Sequence, residues 1–170
     1  MAKVLFITET DLKRHTIVDG NVDNNKLLQY VEIAQDTHIQ QYLGTKLTDK
    51  LLGEIENSTI EDVGKEDYLK LLKNHVKPML IHWAMVEYLP FAAYTLANKG
   101  MYKHQSENSE SVNKSEVDFL VEKQRSIAQH YTRRFIEYMC ANRSKYPEYN
   151  DNTTGDVYPS SESNYGGWVL

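Results

Sequence analysis

The sequence predicts an all-α fold: a small bundle of about four helices with a long central helix and a long last helix, followed by an extended C-terminal arm. Three observations predict it. Apolar residues recur at spacings of three and four through residues 27–42, 47–55, 68–86 and 117–139. The stretches between these runs are rich in Gly, Asn, Ser and Asp, the residues of turns and caps. From Ser144 onward helical period is lost, and isolated aromatics are spread among Gly, Pro, Ser and Asn.

Taken in order, residues 4–7 suit a short strand or an extended arm. Thr8 stands three residues before Asp11, the spacing of a capping box, and opens one short helical turn ending near Arg14. TIVDGNVDNN is a turn-rich connection, tightest at Asp19-Gly20. Asp23 or Asn24 can N-cap the next helix, whose stripe is Leu27, Leu28, Val31, Ala34, His38 and Tyr42, with Gly44 as its C-cap glycine. Leu47, Leu51, Leu52 and Ile55 mark a helix after the short link GTK, and short links favour antiparallel neighbours. A polar loop, ENSTIEDVG, separates it from the central helix.

That central helix carries Tyr68, Leu72, His75, Val76, Met79, Leu80, Trp83 and Val86, then becomes apolar on almost every side. Pro78 within it and Pro90 near its end each remove a donor, so a kink or break is expected at either. The run MLIHWAMVEYLPFAAYTLA approaches the length of a membrane span, but His82, Glu87 and Pro90 point to a buried helix finishing at Asn98 or Gly100. Residues 100–115 read as a polar loop. Ser115 then caps the last helix, with Val117, Leu120, Val121, Gln124, Ala128, Tyr131, Phe135, Tyr138 and Met139, ending near Asn142. The organisation is thus an N-terminal arm and short helix at 1–23, a helical domain at 24–143, and a tail at 144–170.

A chain of 170 residues suits one domain with tails, and its 41% hydrophobic residues suffice for a core although mean hydropathy is −0.59. A net charge of −5 argues against a protein whose main task is gripping nucleic-acid phosphates. Cys140 is the only cysteine, which excludes an internal disulfide framework and cysteine-paired zinc; it reads as a small core or interface residue. The start MAKVLFITETD lacks an apolar core and meets acids at once, so it is not a signal peptide, and folding in the cytoplasm is expected.

Local chemistry is sparse. His75 and His82 are seven apart on one helix, too far to share a metal without other helices, and with Glu87 they lack the spacing of a metalloprotease helix. GxSxG, a Gly-rich phosphate loop and paired CxxC do not occur. No enzyme activity, catalytic residue, cofactor or metal ligand is therefore expected. Lys123, Arg125, Arg133, Arg134 and Arg143 on the last helix interleave with Glu116, Asp118, Glu122 and Glu137, as on a solvated, salt-bridged face, or one meeting an acidic partner.

Two features point to partners. Gln35, Asp36, Thr37, His38, Gln40 and Gln41 form a helix face of amides and hydroxyls where Lys and Glu would be usual. Uncharged polar groups suit a subunit interface, and Gln35, His38, Gln40 and Gln41, with Arg133 and Arg134, are its candidates. In the tail, Tyr158, Tyr165, Trp168, Val169 and Leu170 are candidate anchors of an arm that docks on a partner.

FITETDLKRH, GNVDNNKL, AQDTHIQQYLGTKLTDKL and the polar SENSESVN before a long last helix together resemble the head-tail connector proteins of tailed bacteriophages. The resemblance is nearest to the adaptor or head-completion rings of phages infecting Bacteroidetes, including the crAss-like group. It covers roughly residues 4–143, and its most specific piece is Tyr42-Leu43-Gly44 followed by Leu47 and Leu51. It implies a non-enzymatic virion subunit, made in the bacterial cytoplasm, of which about twelve copies form a closed ring. The ring would join the portal protein to other neck or tail proteins, with double-stranded DNA passing through its lumen without sequence-specific binding, and with no membrane involved. The tail beyond Arg143 matches no motif of that family. The alternative is a cytoplasmic helical adaptor or regulatory module that binds protein or nucleic acid.

Overall fold

The computed structural model describes residues 3–18, 22–92, 94–97, 100–103, 113–151 and 155–162. Helix α1 (Glu9–His15) starts at Thr8, whose hydroxyl accepts from the Asp11 amide while the Asp11 carboxylate accepts from the Thr8 amide, a complete capping box. Helix α2 (Asn24–Ala34) is capped by Asp23, whose side chain accepts from the Asn25 amide. It runs on through a π turn (Gln35–Ile39) into α3 (Gln40–Leu43), so the expected single helix is present with one residue inserted in its ladder. Gly44, at φ 76° and ψ 159°, breaks the chain direction and starts α4 (Thr45–Glu56) at once. That backbone region is essentially reserved for glycine, which is why α3 can end and α4 begin on one residue.

The polar loop after α4 is tied down by Glu54, which is buried and bonded to Thr59, Lys65 and Lys50. Helix α5 (Glu66–Leu71), a second π turn (Leu72–Val76) and α6 (Lys77–Tyr88) make up the central helix. Pro78 has no N–H to offer the carbonyl four residues back, and the widened turn directly upstream of it, where the Lys77 amide donates to the Leu72 carbonyl, absorbs the mismatch. A 3₁₀ turn (Leu89–Phe91) contains Pro90 and closes the helix.

Helix α6 packs between α2 and α7 (Lys114–Asn142), with Met79, Leu80, Ile81, Trp83, Ala84, Met85 and Val86 all buried. Two rings on the central helix stack on two tyrosines of α7: His75 on Tyr138 at 4.1 Å between centroids and His82 on Tyr131 at 5.4 Å. The order is reversed along α7, so the two helices are antiparallel with matched heptad spacing. Trp83 Nε1 donates to Thr132 Oγ1 at 3.0 Å and Thr132 donates to the Ala128 carbonyl, so these two side chains are paired, whereas the buried Nδ1 of His75 in the same seam has no hydrogen-bond partner among the described residues. The fold is an all-α bundle. Among the described residues no helix is long and apolar enough to cross a membrane.

Three expectations are corrected. The apolar run after Pro90 does not continue as helix to Asn98 or Gly100: β1 (Tyr94–Ala97) pairs antiparallel with β2 (Gly100–Lys103) in a small hairpin. A short apolar run cannot be assigned to helix or strand by period alone, and Pro90 had already broken the helical ladder. The rest of that expected loop, residues 104–112, lies outside the described residues. Asn113, not Ser115, caps α7, in a capping box with Glu116. Third, the segment after Asn142 is not an arm at its start. A 3₁₀ turn (Arg143–Lys145) and α8 (Pro147–Asn150) bring Tyr146 and Tyr149 into the core, at 0% and 2% exposure. Tyr146 Oη bonds Tyr138 Oη at 2.8 Å and donates to the Asp67 carbonyl at 3.0 Å, and Tyr68 Oη donates to Glu148 at 2.7 Å. The helical domain therefore does not stop at residue 143.

Candidate functional site

The amide-rich stretch of residues 35–45 has much of its polarity turned inward, and the π turn is the local reason. One extra residue in the ladder rotates the downstream side chains by about 100°, which sends neighbouring polar groups to different partners. Gln35 is 1% exposed; its Oε1 accepts from the Phe6 amide at 2.9 Å and its Nε2 donates to the Val4 carbonyl at 3.2 Å. It holds the N-terminal segment as a neighbouring strand would, while Phe6 and Ile7 fill the core beside it. Asp36 pairs with Lys3 of the same segment. His38 stacks on Trp83 at 4.0 Å and 8° between planes, and its Nε2 is 2.7 Å from Glu87 Oε1. Gln40 donates to Thr45 Oγ1 at 3.2 Å across the Gly44 corner.

The C-terminal segment docks on the same corner. Pro159 is buried against Gly44, so closely that a β-carbon on residue 44 would fall 2.7 Å from Pro159 Cγ and Cδ. The Thr45 amide donates to the Val157 carbonyl at 3.0 Å, the Val157 amide to Thr45 Oγ1 at 3.2 Å, and the Ser160 amide to the Gln41 carbonyl at 2.8 Å. Thr45 Oγ1 also donates to Asp156 at 2.9 Å, and Lys46 pairs with Asp151. A segment from near each end of the chain is thus fastened to the one helix-turn-helix, the N-terminal one by Gln35 and Asp36, the C-terminal one by Gln41, Gly44 and Thr45.

This removes Gln35 from the expected interface. Gln35 is interior and unavailable to a partner subunit; His38 and Gln40 are half-buried with partners in their own chain; Gln41 keeps an exposed side chain. The cause is tertiary: an amide can satisfy backbone groups of a passing segment without the desolvation cost of a charge. Arg133 and Arg134 are exposed on α7, with Arg134 6.0 Å from the Tyr131 ring centre. Helix α6 stands between the two candidate sets, since its Trp83 stacks on His38 and bonds Thr132, next to Arg133. Tyr158 is 48% exposed between two residues held on Gly44 and Thr45, while Tyr165, Trp168, Val169 and Leu170 lie outside the described residues.

Elsewhere, Cys140 is exposed and is not a core residue. Burial holds both His75 and His82 below the ordinary imidazole range, a bond to Gln124 partly opposing this at His82. Glu87 is engaged by His38, and among the described residues no three His, Cys, Asp or Glu side chains converge as a metal site. Arg125 of α7 pairs with Glu122 at 2.7 Å, and Arg143, in the 3₁₀ turn that follows α7, lies over the Tyr149 ring, so two of the expected basic residues are engaged within the protomer.

One surface feature escaped the sequence. Phe119 is 69% and Leu120 36% exposed on the first turns of α7, where residues 113–120 are exposed apart from the half-buried Val117. Position 119 falls off the stripe of 117, 121 and 124, and that is the signal that could have found it.

The model of a family of unknown function, DUF6712, matches residues 39–159, from the end of the π turn to the proline that seats on Gly44. Comparison with curated proteins and with solved structures gives no match.

Proposed function

The chain belongs to the DUF6712 family, and we propose that it is a structural subunit of a phage head-tail connector, a ring protein of the virion neck that joins the portal vertex to the tail and lines the DNA passage. The observation that carries this reading beyond the resemblance is the start of α7. A helix of 29 residues, about 44 Å long, presents Phe119 and Leu120 to solvent at one end and Arg133 and Arg134 further along. Exposed apolar side chains that no fold requirement explains favour protein contact. A heterologous ring contact needs unlike patches on each subunit, which an apolar end and a basic stretch supply. The acidic net charge of −5 suits a lumen through which DNA slides without adhering. The subunit works by assembly and geometry, turning over no substrate and holding no cofactor.

The test is light scattering after size exclusion, followed by negative-stain imaging, on the full chain alone and mixed with portal protein. Rings of about twelve copies, formed alone or on the portal, are expected. Phe119→Asp should prevent them while leaving the helical circular dichroism intact. A monomer or dimer that ignores the portal and binds DNA in a salt-sensitive way would overturn the proposal in favour of a regulatory module.

A further inference from the structure

A cleft of ≈ 330 Å³ opens where α1, α6 and α7 meet. Its apolar wall is Pro78 and Ile81, with the Tyr131 ring beside them, and Lys73, Lys77 and His15 line it with ammonium and imidazole groups. His82 completes the lining: its Nδ1 donates to Gln124 Oε1 at 2.8 Å, so its Nε2 can donate to an anion only when the ring is protonated. Asp11 is the single acid in the lining, and its carboxylate is already bonded by Thr8 and by Lys77 at 3.2 Å. Lys73 reaches Glu61 at 3.2 Å, a pair more than half exposed on both sides and so worth little against a competing anion.

From this geometry we infer that the cleft binds a small organic anion, a carboxylate or phosphate group on a compact carbon body, with Lys73 and Lys77 on the charge and Tyr131, Pro78 and Ile81 on the body. The size agrees with this, since the volume lies at the lower end of ligand sites, about 300–1,000 Å³. The chemistry agrees too: two ammonium groups and two imidazoles, with a single carboxylate, line an apolar floor in a chain that is acidic as a whole. A ligand carboxylate or phosphate on Lys73 displaces one exposed ion pair, that with Glu61, and on Lys77 it shares an ammonium group that already bonds Asp11 at 3.2 Å, while the capping box that holds Asp11 stays intact. None of these residues takes part in the docking of the chain ends at Gly44 or lies on the Phe119 end of α7, so the cleft is independent of the connector reading.

The test uses the full chain with two probes, inorganic phosphate and succinate, each against sodium chloride of equal ionic strength. Histidine ring resonances of His82 and His15 report binding. The expected result is a saturable shift of both rings with at least one probe, weakened at least about tenfold by Lys73→Gln with Lys77→Gln, at unchanged helicity. Lys73→Gln alone, at an exposed position, guards against misfolding of the double variant and should weaken binding in the same direction. Phosphate binding alone assigns the phosphate class, and succinate binding assigns the carboxylate class. No saturable shift with either probe, or shifts that the lysine variants leave unchanged, overturns the inference.

Discussion

Gly44→Ala is the sharpest test of how this fold is closed. The structure sets two costs. The backbone at φ 76° and ψ 159° is a glycine conformation, and placing a side-chain-bearing residue there costs about 1–3 kcal/mol. The added β-carbon would also lie 2.7 Å from Pro159 Cγ and Cδ, so the C-terminal segment must lift. Lifting it gives up the Thr45–Val157 and Ser160–Gln41 backbone bonds, about 1 kcal/mol each. The sum is about 3–5 kcal/mol, a large share of the roughly 5–15 kcal/mol by which a domain is stable. The assay is urea unfolding monitored by the fluorescence of buried Trp83, run as a double-mutant cycle with Pro159→Ala. Alanine at 159 removes Cγ and Cδ, so in that background Gly44→Ala should keep the backbone cost and lose most of the rest. Additivity within about 0.5 kcal/mol, or a neutral Gly44→Ala, would refute the claim that Pro159 seats on this glycine.

Three more outcomes are expected. Truncation after Asn142 should abolish cooperative unfolding, read by circular dichroism in urea, because it removes Tyr146 and Tyr149 from the core at about 3–5 kcal/mol for each lost aromatic. Glu54, held down to about 2 by bonds from Lys50, Lys65 and Thr59, stabilises the fold above its unfolded value near 4.5; that contribution should fade as pH falls from about 4.5 to 2, and Glu54→Gln should flatten the acid limb of the denaturation profile. His75 and His82 are bases lowered by burial, so the unfolded chain takes up protons first and stability should fall as pH drops below about 6.5; replacing both by Phe should remove that slope.

Much of the local structure was legible because it rests on neighbours in sequence. The Thr8 and Asp11 capping box, Asp23 as a cap, Gly44 as the stop of one helix and the apolar stripe of the central helix are all short-range patterns, and each is in place. The candidate interface was read less well. A run of Gln, His and Thr looks the same in sequence whether it faces water, a second subunit or its own chain ends, and here Gln35 meets Val4 and Phe6, some thirty positions away. The tail misled for the same reason: Tyr146 and Tyr149 lack helical period, yet each finds a site in the core.

The sequence by itself determined the all-α class, the caps and stops of the helices and the identity of the central helix, since hydrogen-bond spacing and apolar period are local properties of the chain. Tertiary structure decided the rest: the π turn that turns Gln35 inward, the antiparallel stacking of His75 and His82 on Tyr138 and Tyr131, and the seating of Pro159 on Gly44. These depend on which distant segments bury each other's polar and apolar surface, and that choice is made by the free energy of the whole core.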